Sequence, residues 1–180
     1  MKGENVMKKH YETYVISAFP GCGKSYCFKN YQDKFTILDS DSSEFSWIKD
    51  EDGNNTKERN PDFPNNYIQH IKSNINKADI IFVSSHDVVR KALRDNDIRT
   101  IMVYPSKDMK NEFIDRYKQR GNDESFINFI SSNFDKFIDD IEDEDNGFLK
   151  NRLSKEQPYI DLSFLYACYD GNLICLLSNR

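Results

Sequence analysis

Eight residues near the amino terminus restrict what this chain can fold into more than any other stretch. They are Ala18-Phe19-Pro20-Gly21-Cys22-Gly23-Lys24-Ser25. The run fits the pattern of a glycine-rich phosphate-binding loop, except that Ala18 stands where a first glycine is usual. Gly21 and Gly23 allow successive backbone N–H groups to face one concavity, which is how such a loop holds a polyphosphate. We call residues 18–25 the glycine loop.

The segments beside the glycine loop favour the strand and the helix that this pattern requires. Residues 14–17 are a short β-prone run, and residues 25–31 are compatible with a helix whose positive end faces a bound anion. Lys24 is then expected to reach the outer phosphates, and the Ser25 hydroxyl to ligate Mg²⁺. A chance Gly/Pro turn is the alternative, and the intact Gly-Lys-Ser run disfavours it. The predicted nucleotide-binding residues are Pro20, Gly21, Cys22, Gly23, Lys24, Ser25 and Tyr26.

Composition limits the class of protein. A chain of 180 residues with 38% hydrophobic and 13% aromatic residues suits one domain with a real core. The net charge of −5 argues against nonspecific binding of nucleic acid through the overall field. The sequence has no apolar run long enough to span a membrane, which predicts a cytoplasmic protein without membrane contact. The four cysteines lack CxxC spacing, so free buried thiols are expected and a zinc site is not.

Predicted strands and helices alternate along the chain. We expect strands over residues 12–18, 35–38, 79–85, 98–104 and 172–177. We expect helices from the glycine loop to about residue 33, over 66–77, 87–96 and 107–120, and from 122 or 123 onward. The polar stretch at about 50–64 is interpreted as a long loop or insertion. Because the strands are continuous apolar runs, they favour a parallel sheet covered on both faces, with ligands beyond the carboxyl ends of the strands.

Polar residues follow two of these strands. Asp39 and Asp41 are expected to hold a metal ion, to grip a sugar hydroxyl or to deprotonate an acceptor hydroxyl. Helix capping or an Asx turn is the alternative for the pair. Ser85 and His86 follow the third strand and are candidates for substrate contact, although a structural polar contact would also account for His86. Arg90 is a candidate for binding an acceptor phosphate, with a surface ion pair as the alternative.

Arg116 and Arg120 lie four residues apart, on one face of a predicted helix. Arginines on a lid that closes over the phosphates would stabilise the charge of a phosphoryl-transfer transition state. We therefore expect both to be catalytic, to lie on a lid at about 115–125, and to point into solvent when no ligand is bound. A solvated basic helix face is the alternative. Phe45, Trp47 and Tyr67 can stack on a base, but they are more typical of a core.

Three segments together resemble the P-loop nucleoside and nucleotide kinases, the adenylate-kinase-like and shikimate-kinase-like group. They are Phe19-Pro20-Gly21-Cys22-Gly23-Lys24-Ser25, Leu38-Asp39-Ser40-Asp41 and Arg116-Tyr117-Lys118-Gln119-Arg120-Gly121. Residues 60–67 and 82–86 are similar to phage-encoded proteins described as deoxynucleotide kinases, which would place the protein in a host cytoplasm. The resemblance covers about residues 12–142, and only the glycine loop within it is highly specific.

The resemblance implies a three-layer α/β fold of the P-loop NTPase type, in one domain over residues 1–180. That fold has a mostly parallel five-stranded sheet, helices on both faces and a short lid. It also implies ATP and Mg²⁺. The chain departs from the family pattern at Ala18 and at Ser84-Ser85, where an acidic residue is usual. Because serines stand at 84 and 85, the carboxylate that contacts Mg²⁺ is expected to be Asp39 or Asp41 instead. The predicted metal ligands are Ser25 and Asp39.

The predicted activity is ATP-dependent transfer of a phosphoryl group to a small acceptor, foremost a (deoxy)nucleoside monophosphate. Lys24, Asp39, Asp41, Arg116 and Arg120 are the predicted catalytic residues. A kinase of a hydroxyl acceptor remains open, whether a nucleoside, a sugar or a polynucleotide 5′ end, and so does a regulatory protein that binds nucleotide without turnover. A monomer or a homodimer is expected.

Overall fold

Helices cover both faces of a five-stranded sheet in the computed structural model, which describes residues 13–144 and 147–169. The strands are β1 (Tyr14–Ala18), β2 (Ile37–Asp39), β3 (Trp47–Lys49), β4 (Asn55–Arg59), β5 (Ile80–Val83), β6 (Thr100–Pro105) and β7 (Leu149–Leu153). The sheet has the order β2-β5-β1-β6-β7, and every neighbouring pair in it is parallel. The carboxyl ends of these strands therefore meet at one edge of the sheet.

Within the described residues, seven α-helices connect or follow the strands. They are α1 (Lys24–Asn30), α2 (Ser43–Ser46), α3 (Asn65–Asn74), α4 (Asp87–Asp95), α5 (Lys110–Gln119), α6 (Glu124–Asp143) and α7 (Leu162–Tyr169), and a 3-10 turn at Lys107–Met109 precedes α5. Asp123, one of the two residues at which this helix was expected to begin, caps α6 by accepting a hydrogen bond from the backbone N–H of Phe126 at 2.8 Å. Within residues 13–144 and 147–169, no helix is long and apolar enough to cross a membrane.

The buried strands divide their side chains between two cores, which confirms the prediction of a sheet covered on both faces. On β5, Ile80 and Phe82 pack with residues of α1, α5, α6 and α7, whereas Ile81 and Val83 pack with residues of α3 and α4. Alternation along a strand sends successive side chains to opposite faces. An all-apolar strand therefore supplies both layers at once.

Two segments differ from the sequence prediction. The polar stretch at about 50–64 is not only loop, because β4 pairs with β3 in an antiparallel hairpin. The turn is stabilised locally: Asp50 accepts hydrogen bonds from the backbone of Asp52 and Asn54, and Gly53 has a φ of 81°. Strand β7 was not predicted, since only two of its five residues are buried at the sheet edge. The predicted strand over residues 172–177 lies outside the described residues.

Tyr67 of α3 joins the ends of β2 and β5. Its hydroxyl donates to the carbonyl oxygen of Ser40 at 2.7 Å and accepts from the backbone N–H of Ser84 at 3.3 Å. Burial raises the pKa of Tyr67 to about 12, so the hydroxyl keeps its proton at neutral pH. The two polar segments that follow these strands are thereby fixed relative to each other.

Replacing Tyr67 with Phe should lower the free energy of unfolding by about 1–2 kcal/mol, because a buried carbonyl and a buried N–H lose their partner. Urea unfolding measures the change. Tyr166→Phe is the matched control, since that ring is 43% exposed. Equal stability of Tyr67→Phe and the wild type would contradict the bridging role.

Candidate functional site

A cavity of about 1110 Å³ lies at the carboxyl edge of the sheet. Its walls come from the glycine loop, from the ends of β2 and β5, from the α5–α6 connection and from the segment before α7. The position agrees with the rule that ligands of parallel sheets bind beyond the carboxyl ends of the strands. The volume slightly exceeds the roughly 300–1,000 Å³ typical of small-molecule sites. The cavity is therefore large enough for more than a single small ligand.

Most of the residues that the sequence predicts for a site line this cavity. They are Pro20, Gly21, Gly23, Lys24, Ser25, Tyr26, Asp39, Asp41, Ser85, His86, Arg116 and Arg120. Cys22 does not: it is fully buried, and its Sγ lies 3.9 Å from the carbonyl oxygen of Val103. Burial raises the pKa of Cys22 to about 12, so this thiol is protonated and belongs to the core.

Arg90 also lies outside the cavity lining, contrary to the expectation that it binds an acceptor phosphate. Its Nε and Nη2 donate to the Glu144 carboxylate, each at 3.0 Å, and its Nη1 donates to the carbonyl oxygen of Ser85 at 2.6 Å. The guanidinium is 6% exposed. Arg90 therefore pairs with Glu144 at the end of α6 and supports the segment after β5, in an ion pair that is buried on the arginine side and not on the surface as the alternative had it.

The carbonyl oxygens of residues 18–22 all accept hydrogen bonds. The donors, in chain order, are Lys24 Nζ at 2.6 Å, the Cys22 N–H at 3.2 Å, the Tyr117 hydroxyl at 2.7 Å, Arg116 Nη1 at 3.1 Å and the Ile160 N–H at 2.9 Å. Three of these donors come from α5 and from the segment before α7. The acceptor side of the glycine loop is thus occupied by the protein itself.

The donor side of the glycine loop is open. The backbone N–H groups of Gly21, Gly23, Lys24, Ser25 and Tyr26 have no acceptor within the described part of the chain, and all five residues line the cavity. Backbone donors are rarely left unpaired, and consecutive unpaired N–H groups form an anion-binding concavity. The arrangement can hold a polyphosphate.

Both glycines of the loop are required by geometry. Gly21 has a φ of 87° and Gly23 a φ of 107°, values that other residues rarely adopt. A Cβ on Gly21 would come within 3.1 Å of the Tyr117 ring, and one on Gly23 within 3.4 Å of the carbonyl oxygen of Ile160. At Gly21 the packing of α5 therefore crowds an added side chain, whereas at Gly23 the contact is close to ordinary and the positive φ is the main restriction.

Lys24 is half-buried between the loop and the carboxylates. Burial lowers the pKa of Lys24, and Arg120 adds to that shift, whereas the carboxylates of Asp39 and Asp41 oppose it. All three charged neighbours line the same cavity. Its Nζ donates to the carbonyl oxygen of Ala18, so a phosphate that enters the loop would offer this ammonium a charged acceptor in place of a neutral one.

The two arginines predicted for a lid have different environments. Arg116 is 8% exposed and does not point into solvent, contrary to the lid expectation. Its guanidinium lies between the rings of Phe113 and Tyr159, at 4.2 and 3.8 Å from their centroids, and it also donates to Gly21 and Glu112. Arg120 is exposed, and its guanidinium has no partner within the described part of the chain. Only Arg120 is free to meet a ligand.

One wall of the cavity, formed by Tyr159, Ile160 and Asp161, was not predicted from the sequence. The Ile160 backbone joins the glycine loop and α1, because its N–H donates to the carbonyl oxygen of Cys22 and its carbonyl oxygen accepts from Cys27 Sγ at 3.4 Å. Asp161 caps α7 by accepting from the backbone N–H of Phe164 at 2.8 Å. An aspartate before an apolar run is a helix-start signal that was available, but nothing local indicated the contact with residue 22.

The aromatic residues at the cavity differ from those considered from the sequence. Tyr67 is fully buried, Phe45 packs on it with ring centroids 5.1 Å apart, and Trp47 lies under the guanidinium of Arg59. None of the three is part of the cavity lining. The core interpretation applies to Tyr67 and to Phe45, which packs against the core, whereas Trp47 is half-buried on the β3–β4 hairpin. The rings that do line the cavity are Tyr26, Tyr31, Phe126 and Tyr159.

The oxygen donors at the cavity fit a metal ion that is shared with a ligand. Within residues 13–144 and 147–169, no group of three or more His, Cys, Asp or Glu side chains can hold a metal ion by itself. The Ser25 hydroxyl and the Asp39 carboxylate line the cavity and are the oxygen ligands that Mg²⁺ prefers. Mg²⁺ commonly takes one or two protein ligands and completes its shell with water and phosphate.

Comparison with protein-family models and with curated proteins found no match to this chain.

Removing the Arg116 side chain should lower the free energy of unfolding by about 2 kcal/mol, because the Gly21 carbonyl loses a charged donor and two rings lose their packing partner. Arg120→Ala, one turn later on the same face, should stay within about 0.5 kcal/mol of the wild type. Denaturant unfolding of both variants provides the comparison. A larger loss in Arg120→Ala than in Arg116→Ala would reverse these assignments.

Proposed function

We propose that the protein transfers the terminal phosphoryl group of ATP to a small acceptor. The observation that carries the proposal is that residues 21 and 23–26, whose backbone N–H groups are unpaired within the described residues, line a cavity that Lys24 and Arg120 also line. Five donors and two cations at one end of a cavity match the charge of a polyphosphate. The carboxylates of Asp39 and Asp41 line the same cavity.

The donor nucleotide would bind with its β- and γ-phosphates in the glycine loop. The loop N–H groups would hold the phosphate oxygens, and Lys24 would turn from the Ala18 carbonyl toward the outer phosphates. Because α5 and Ile160 already fix the loop carbonyls, the loop needs little reorganisation to accept the anion. Such preorganised donors are the main source of catalysis in phosphoryl transfer.

The residues present fit Mg²⁺ carried in with the nucleotide. The Ser25 hydroxyl and the Asp39 carboxylate would hold it, and the bound ion would neutralise charge on the phosphates. Ser84 and Ser85 stand after β5, so the carboxylate contact comes from the end of β2, two strands away from the loop. The oxygen donors of the cavity support this placement.

The two arginines of the predicted lid would have different roles. Arg120 would meet the charge that develops on the transferred group, since it is exposed and without a partner among the described residues. Arg116 would act on the reaction through the loop, by holding the Gly21 carbonyl away from the phosphates. We therefore count Arg120 as the catalytic arginine of the pair and Arg116 as a positioning residue.

The acceptor would bind between the ends of β2 and β5, where Asp39, Asp41, Ser85 and His86 line the cavity. The family resemblance favours a (deoxy)nucleoside monophosphate as the acceptor, and a hydroxyl compound is the alternative. A regulatory protein that only binds nucleotide is the remaining candidate, supported by the absence of a carboxylate directly after β5.

Lys24→Ala should abolish phosphoryl transfer while the protein stays folded, because the outer phosphates lose their positioned cation. ADP release in the presence of a panel of nucleotides and nucleosides measures turnover, and circular dichroism checks the fold. Lys118→Ala is the control, since that ammonium is exposed on α5. Turnover at the wild-type rate in Lys24→Ala would remove the basis for the kinase proposal.

Arg120→Ala should reduce the turnover number by on the order of a thousandfold, with a much smaller loss of ATP affinity, because its contact strengthens as charge moves onto the transferred group. Arg120→Lys should rescue poorly, since an ammonium lacks the planar fork of a guanidinium. Single-turnover kinetics and calorimetric ATP binding separate the two effects. A loss confined to ATP binding would assign Arg120 to ground-state binding only.

A further inference from the structure

The sheet order sets the distance between the glycine loop and the acceptor end of the cavity. β5 lies next to β1, and β2 lies next to β5. With strands about 4.8 Å apart, the end of β2 lies roughly 10 Å across the sheet from the end of β1. A small molecule bound at the end of β2 therefore has space beside a phosphate held in the loop.

The groups at this end are acidic and hydroxylic. Asp39 and Asp41 line the cavity that the glycine loop also lines, and Asp41 accepts a hydrogen bond from the backbone N–H of Ser43 at 2.9 Å with one of its carboxylate oxygens. Ser40 lines the cavity between them, is 5% exposed, and its buried hydroxyl has no hydrogen-bond partner within the described residues. A buried hydroxyl without a partner is costly, and a polar ligand would relieve that cost.

Arg90, the arginine that the sequence suggested for binding an anionic acceptor, already has partners within the protein. Arg90 has all of its contacts on Glu144 and on the carbonyl of Ser85, and it is not part of the cavity lining. An acceptor phosphate at the end of β2 would meet the carboxylates of Asp39 and Asp41 without this compensating cation. Like charges a few ångströms apart repel strongly in a partly buried site.

We infer that the acceptor is a small neutral molecule that presents a hydroxyl group, a nucleoside or a sugar, rather than a nucleoside monophosphate. The inference rests on the proposed phosphotransferase function and names its substrate class. A polynucleotide end fits less well, because its phosphates would meet the same two carboxylates on a chain with a net charge of −5.

The reaction balances with the groups at hand. The acceptor oxygen forms a bond to the γ-phosphorus, and the bond between that phosphorus and the bridging oxygen breaks and leaves with ADP. The proton of the acceptor hydroxyl passes to the carboxylate of Asp39 or Asp41 and then to solvent. The Ser40 hydroxyl would hydrogen-bond a second polar group of the acceptor and so orient it.

The test is transfer of a labelled γ-phosphate from ATP with Mg²⁺ by the full chain, in three parallel arms. The first contains thymidine, deoxyadenosine, ribose and glucose; the second contains nucleoside monophosphates; the third contains a short 5′-hydroxyl oligothymidylate. Label in the first arm is expected. Label confined to the second or third arm overturns the inference and leaves the phosphotransferase intact, whereas ATP binding without label in any arm overturns the phosphotransferase itself.

Removing the charge of Asp39 or Asp41 tests the class of acceptor independently. With a hydroxyl acceptor, Asp39→Asn or Asp41→Asn should lower kcat by about tenfold or more, because a proton acceptor is lost. Asp95→Asn is the control, since Asp95 pairs with Lys91 at the end of α4 and is not part of the cavity lining. If neither variant lowers kcat, or if both instead lower the KM of a monophosphate, the acceptor is an anion and the inference fails.

Discussion

The hydrogen bonds accepted by the carbonyl oxygens of the glycine loop are the interaction on which the site depends. A peptide unit directs its C=O and its N–H to opposite sides. A hydrogen bond that holds the carbonyl oxygen therefore also fixes the direction of the N–H in the same peptide unit. Tyr117 and Arg116 of α5 and the backbone of Ile160 occupy the carbonyl side. The N–H groups of Gly21 and Gly23, from the peptide units whose carbonyls Tyr117 and Ile160 hold, have no acceptor within the described residues. The N–H of Cys22, from the peptide unit that Arg116 holds, donates to Phe19. Unpaired backbone donors of this kind can form an anion-binding concavity.

The same interactions explain why residues of one type have different tasks. Arg116 and Arg120 share a helix face, but only Arg116 reaches a loop carbonyl and the rings of Phe113 and Tyr159. Arg90, which looks equally free in the sequence, is held by Glu144 from a distant part of the chain. Arg90 and Arg116 are therefore held by acceptors within the protein, whereas Arg120 has no partner among the described residues.

Much of the fold was predictable because it depends on local signals. The apolar run of β5, the glycine loop and the Asp123 cap all lie where the sequence places them. The hairpin β3–β4 was missed, since turn chemistry and backbone pairing create it without an apolar pattern. The cavity wall at residues 159–161 and the contacts of Arg116 with Gly21 and Tyr159 depend on packing between distant parts of the chain, for which a single sequence carries no signal.

In the proposed function, the unpaired backbone N–H groups of the glycine loop and of the first turn of α1 bind the phosphates of a nucleotide. Amide chemical shifts in a ¹H–¹⁵N spectrum report on each of these groups directly as ATP with Mg²⁺ is added. As ATP with Mg²⁺ is added, the amide resonances of Gly21, Gly23, Lys24, Ser25 and Tyr26 should shift together and saturably, while those of the hairpin β3–β4 should not move. Saturating ATP that leaves these five resonances unmoved would contradict the proposed binding.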